Sequence, residues 1–185
     1  MFAIAIAGAE ALPAGDSYVS FVPWKILQPE EDAPRSALVL YWIPASRDEL
    51  RRSELLTSHV LMTASTQCVA MQVIRLDDAE RIHKVASNED QALPGALLAD
   101  EEGHELARVD REDGELRTHE VESIVREALD AREANAELLL DEAARHADDG
   151  DVDAAIALYE KVWADRCVCP RQANEARRAL KRLRK

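Results

Sequence analysis

Aromatic residues are scarce, at 4% of 185 positions, and there are only three cysteines. An odd number at irregular spacing excludes a disulfide scaffold as the basis of the fold. No apolar run approaches the ~18 residues of a membrane-spanning helix. No Lys or Arg precedes Lys25, so the basic start of a secretory signal is missing. The apolar stretch Phe2–Gly8 therefore reads as a first strand or ordered arm, with a signal remnant as the rival. A cytoplasmic location is expected, with a periplasmic or secreted one as the alternative. Excess positive charge is also absent: Lys plus Arg is 23 against 36 Asp plus Glu, a net −13. That balance argues against a general binder of nucleic acid or anionic membranes.

The charge that is present is unevenly placed. Residues 166–185 hold eight basic residues against the single acid Glu175, about +7, so the first 165 carry about −20 of the total. The hydrophobic class at 47% and the charged class at 32% suit a chain with a buried core.

Along the middle, strand and helix patterns alternate. Ser36–Ile43, ending at Pro44, is a continuous apolar run of the kind buried on both sheet faces. Ser46 with Glu49 three residues on has capping-box spacing and predicts a helix from about Arg47 to Ala64. Gln67–Leu76 reads as a second buried strand, with Cys68 a small core residue within it. Asp78–Ser87 reads as a short helix. Ala96–Ala99 and Leu106–Val109 read as a hairpin about Gly103. From Thr118, Val121, Ile124, Val125, Ala128 and Leu129 form one apolar stripe. The layout is α/β, a mixed sheet with helices on both faces.

Tyr41-Trp42-Ile43-Pro44-Ala45-Ser46-Arg47-Asp48-Glu49-Leu50 resembles the active-site segment of thioredoxins, in which a strand, an aromatic pair, a Pro and Cys-x-x-Cys follow in order. Leu93-Pro94-Gly95 before the hairpin is similar to the thioredoxin cis-proline site. The resemblance runs from about Pro23 to Leu129. It implies a thioredoxin-like fold whose redox site is degenerate at Trp42, Pro44, Ser46, Arg47, Asp48 and Glu49. Ser46 replaces the nucleophilic cysteine and Glu49 the resolving one; Leu40 and Val73 align with the family's buried acid and nearby lysine. A hydroxyl cannot form a mixed disulfide and a carboxylate cannot resolve one. The resemblance leaves a candidate peptide-binding groove at Trp42, Leu93, Pro94 and Gly95, with a cis Pro94. A nucleophile–acid pair of Ser46 and Glu49 would need a base, for which His59 and His83 are the nearest in sequence; capping explains both residues with fewer assumptions.

No Pro or Gly interrupts the Thr118 helix before Gly150, which predicts about 30 helical residues, with a kink near Ala134 as the alternative. Gly150–Val162 resembles the turn and second helix of a tetratricopeptide repeat, with Ala155 at the small position and Tyr159 at the aromatic one. Ala143 suits the small position of the first repeat helix, while Glu142 falls where an apolar residue is expected. A third helix after Pro170 carries Ala173, Ala176, Leu180 and Leu183 on one face. The expected division is an arm at 1–22, a thioredoxin-like domain at 23–130 and a helical hairpin with a capping helix at 131–185. That order resembles the chaperedoxins, bacterial holdases that join a degraded thioredoxin domain to tetratricopeptide repeats.

Three signals in this third are discounted. Asp148–Asp153 is acidic, but with Asp149 first an EF-hand loop would have Ala154 where glycine is required. Cys167-Val168-Cys169 is half a zinc site. The basic terminal helix lacks interleaved aromatics for base stacking and suits docking on the acidic body or an acidic partner. The expectation is an interaction protein with a protein partner or unfolded client, no cofactor, no metal and no catalytic residue. A thiol enzyme or sensor using Cys167 and Cys169 is the alternative.

Overall fold

The computed structural model describes residues 21–28, 31–32, 34–78 and 94–184. Its centre is a five-stranded mixed sheet in the order β1-β3-β2-β4-β5. The strands are β1 (Lys25–Ile26), β2 (Leu38–Trp42), β3 (Val69–Val73), β4 (Ala96–Asp100) and β5 (Glu105–Val109). β3 runs parallel to both β1 and β2; β4 is antiparallel to β2 and to β5. All five residues of β2 are buried, as its uninterrupted apolar run requires. Leu38, Leu40 and Trp42 enter one core with Val69, Met71 and Val73. Val39, Tyr41 and Ile43 enter a second core on the opposite face with Ile74 and Leu97.

The expected single helix over 47–64 is three pieces: α1 (Arg47–Arg52), a 3-10 turn (Glu54–Leu56) and α2 (His59–Ser65). Serines make the breaks. Ser53 and Ser58 are extended at ψ 139° and 120°, and their hydroxyls accept from the N–H groups of Leu55 and Leu61. Short hydroxyl side chains offer the backbone an alternative to continued helix, and each restarts a turn as its cap. The strand expected from Gln67 begins at Val69, because Cys68 sits at φ 57°, outside strand geometry. The hairpin turns at Gly103, whose φ of 87° favours glycine. The helix expected at 78–87 falls almost wholly outside the described residues, as does the N-terminal arm.

Helix α3 (Thr118–Asp148) runs 31 residues as one element, with no break near Ala134. Two cores explain its length. Val121 and Val125 pack under the sheet. Ala136, Leu140 and Ala143 pack against α4 (Val152–Ala164) and α5 (Pro170–Leu183), where Ala155, Tyr159, Val162, Ala176 and Leu180 close a separate core. Leu129 touches both. Gly150 at φ 82° makes the α3–α4 turn, Asp151 caps α4 through the Ala154 N–H, and Pro170 opens α5. The architecture is α/β with a C-terminal segment of three helices. Among the described residues, no helix is long and apolar enough to cross a membrane.

Candidate functional site

The end of β2 delivers the chain to the start of α1. Ser46 is the N-cap there, its Oγ accepting from Glu49 N at 3.1 Å. Glu49 turns back so that its Oε2 accepts from Ala45 N at 2.7 Å, a capping box shifted by one residue. The carboxylate has two further partners. Trp42 Nε1 donates to it at 3.3 Å, and Arg111 Nη1 lies 3.0 Å from each oxygen. Arg111 Nη2 donates to Ile43 O at 2.5 Å, tying the guanidinium to the strand end. The side chains of Glu49 and Arg111 are 21% and 16% exposed. The Ser46 hydroxyl and Glu49 carboxylate are therefore committed to local structure. Among the described residues no histidine bonds to Ser46; His59 opens α2 on the surface and His83 lies outside the described residues. Leu40 and Val73 are fully buried at 0%, so neither position offers a proton-shuttling group.

Trp42, expected to line a groove, is a core residue at 0% exposure, with its ring 5.4 Å from that of Trp24. Pro44, Pro94 and Gly95 are buried as well, while Arg47 and Asp48 are exposed. The Gly95 backbone is already paired, its N–H donating to Val109 O at 2.8 Å and its carbonyl accepting from Ile43 N at 3.0 Å. A Cβ on Gly95 would stand 2.6 Å from Leu116 Cδ1, so Leu116 roofs this site. The groove expected at Trp42, Pro94 and Gly95 is thus filled by the chain itself. Leu93 lies outside the described residues, and with it the peptide bond to Pro94.

An open depression lies beside α1. A groove of about 940 Å³ runs between Ser46–Glu54 and the 114–122 segment, with Arg52, Glu115, Arg117, His119 and Glu122 on its walls. Arg117 pairs with Glu112 and Glu120, and Glu122 accepts from Ser58 Oγ at 2.6 Å. This lining of both signs suits a polar segment. Sequence reasoning missed Arg111 and the groove, because 62 residues separate Arg111 from Glu49 and no local motif joins them.

The cysteines correct two expectations. Cys68 is bonded to Cys167, 99 residues away, with Cα atoms 5.8 Å apart. Cys68 is therefore not an inert core thiol, and Cys167 does not pair with Cys169. Cys169 is a buried free thiol; burial first, then the charges of Asp165 and Glu133, push its pKa up.

The acidic turn at 148–153 works as a helix junction, with His146 Nδ1 3.4 Å from Asp151. A different trio, Asp100, Glu102 and His104, brings possible ligand atoms within 4.8 Å of one another. Hairpin bonding explains it: Asp100 Oδ1 accepts from the backbone N–H groups of Glu102 and His104 at 3.0 and 2.8 Å. Burial works to raise the Asp100 pKa, but these bonds and the His104 side chain outweigh it and lower it. The basic helix α5 docks in part on acids, through Arg171 to Glu137 at 2.7 Å and Arg184 to Glu160. Arg166 and Arg177 each lie 5.6 Å from the centre of the Trp163 ring.

No protein-family model and no curated protein matches the chain.

Proposed function

We propose that this chain is a redox-inactive, thioredoxin-like protein that acts by binding other proteins. One observation carries the reading. The two positions that the sequence resemblance assigns to redox cysteines hold Ser46 and Glu49, and both are spent on the helix cap and on Arg111. The strand order, with β4 antiparallel to a parallel core and β5 antiparallel to β4, supports the same resemblance. Binding falls to the polar groove beside α1, which suits an extended polar segment of a partner, and to the three-helix segment. The holdase analogy rests on the order of the parts alone.

The thiol-enzyme alternative loses its pair, since Cys167 is joined to Cys68 and Cys169 is buried. The bridge supports an oxidising compartment rather than the cytoplasm. Insulin reduction in the presence of dithiothreitol tests the proposal. The chain should not raise the rate above that of dithiothreitol alone; turnover refutes it. A client-aggregation assay then separates a holdase, which suppresses light scattering, from an adaptor, which leaves it unchanged.

A further inference from the structure

We infer that the Cys68–Cys167 bond is an exchange site for a dithiol reductant, and that opening it unclamps α4 and α5 from the sheet. The inference does not rest on the binding role proposed above.

Placement is the first argument. Cys68 leads into β3 and Cys167 lies in the connection between α4 and α5, so the bond joins the two cores. Among the described residues the rest of their hydrophobic seam is slight. Ala37 and Cys68 are the residues from around the sheet strands that pack on the helical core, and Leu129 of α3 touches both cores. Helix α3 is the continuous covalent link; the disulfide is the second.

Access is the next. Cys167 is exposed and Cys68 half-buried, so an incoming thiolate can reach the bond from the Cys167 side without unfolding the domain. Buried disulfides lack that route.

Local geometry is the third. Cys68 is a non-glycine residue at φ 57°, a conformation that L side chains adopt at a cost. Its carbonyl accepts from Ser36 Oγ at 2.6 Å and from Leu38 N at 3.4 Å. The body thus holds the Cys68 backbone in place and presents its sulfur to the helical segment. On the other side, the N–H groups of Val168 and Cys169 both donate to Asp165 O, which shapes the loop that carries Cys167.

The exchange balances as follows. A thiolate of the reductant attacks Cys167 Sγ, forming a mixed disulfide and expelling Cys68 as a thiolate, which takes a proton. The second thiol of the reductant attacks the mixed disulfide and releases Cys167 as a thiolate, which also takes a proton. The reductant leaves as its own disulfide, and the protein has gained two electrons and two protons. Cys169 cannot stand in for either partner, because it is 2% exposed within the helical core and its thiol is held protonated by burial.

The test uses the full chain without denaturant. Dithiothreitol should turn the single free thiol into three titratable ones, counted after a quench into denaturant, while the far-ultraviolet spectrum is retained. Hydrogen exchange at 36–38, 67–69 and 165–169 should rise at least tenfold more than in β4, whose protection tracks the global stability. C68S/C167S should show the reduced pattern without reductant, and C169S should behave like the parent chain. The inference is overturned if the bond yields only in denaturant, if reduction leaves exchange at the seam unchanged, or if it raises exchange in β4 as much as at the seam. Because the native chain is reduced directly, a Cys variant that fails to fold does not decide the outcome.

Discussion

Replacing Arg111 with methionine removes the charge at the start of α1 and keeps most of the side-chain stem. The stem matters, since Arg111 Cγ lies 3.3 Å from where a Cβ on Gly95 would stand. The guanidinium makes two contacts with Glu49 and one with Ile43 O. Its loss leaves a carboxylate that is only 21% exposed with Ala45 N–H and the Trp42 indole as its remaining partners. Removing one member of a fully buried pair costs about 3–5 kcal/mol, and an exposed pair is worth about 0–1. The intermediate burial here places R111M at about 2–3 kcal/mol. For a chain of this size that lowers the melting temperature by about 4–12 °C. Urea unfolding of R111M, E49Q and the double variant measures it. Neutralising Glu49 removes the orphaned charge, so E49Q/R111M should be more stable than the sum of the single losses predicts, by at least about 1 kcal/mol. Strict additivity, or an R111M loss below about 0.5 kcal/mol, would show that the pair is a solvated surface contact and would remove it as the lock on this site.

Four further outcomes follow from the same geometry. S58A loses the cap on Leu61 N and the 2.6 Å bond to Glu122 and should cost about 1–2 kcal/mol in urea unfolding. G95A drives a methyl group to 2.6 Å from Leu116 Cδ1, which should cost about 1–3 kcal/mol, and L116A should recover part of it. C68S/C167S opens a loop spanning 99 residues, for which chain entropy sets a ceiling near ~4.7 kcal/mol; a loss of about 2–4 kcal/mol is expected. The lowered Asp100 pKa makes its contribution present above the unfolded value of 3.8 and lost as pH falls through the folded one. Exchange at the Glu102 and His104 amides should therefore rise in acid beyond the intrinsic trend, and D100N should abolish that rise.

The strands and helices were legible where a pattern repeats along the chain. The unbroken apolar run of β2, the Gly103 hairpin, the stripe on α3 and the Gly150 turn each rest on neighbours within a few residues. Ser46 as cap was legible for the same reason. Ser53 and Ser58 were not, because a serine inside an apolar pattern is as compatible with a solvated helix position as with a break. Features joining distant residues left no local trace. Arg111 reaches Glu49 across 62 residues and Cys68 reaches Cys167 across 99, and nothing in the spacing of three cysteines selects that pair from the alternatives. The strand pattern implied a buried Trp42, but its ring partner Trp24, 18 residues upstream, left no local trace.

The start of α1 and the Cys68–Cys167 bond are best understood together. A helix N-terminus favours negative charge, whether a thiolate or a carboxylate. Here Glu49 supplies a carboxylate at that position, and Arg111 pairs with it at 3.0 Å. Chemistry that cycles would need that position to change protonation or bonding, and each change would break a cap and an ion pair at once. Thiol chemistry without such a penalty requires a sulfur away from the cap and within reach of solvent. The exposed Cys167 meets both conditions and the buried Cys169 does not. A chain that commits the start of α1 to Glu49 and Arg111 and leaves the Cys167 side of its disulfide exposed confines the thiol exchange proposed above to the joint between its two cores.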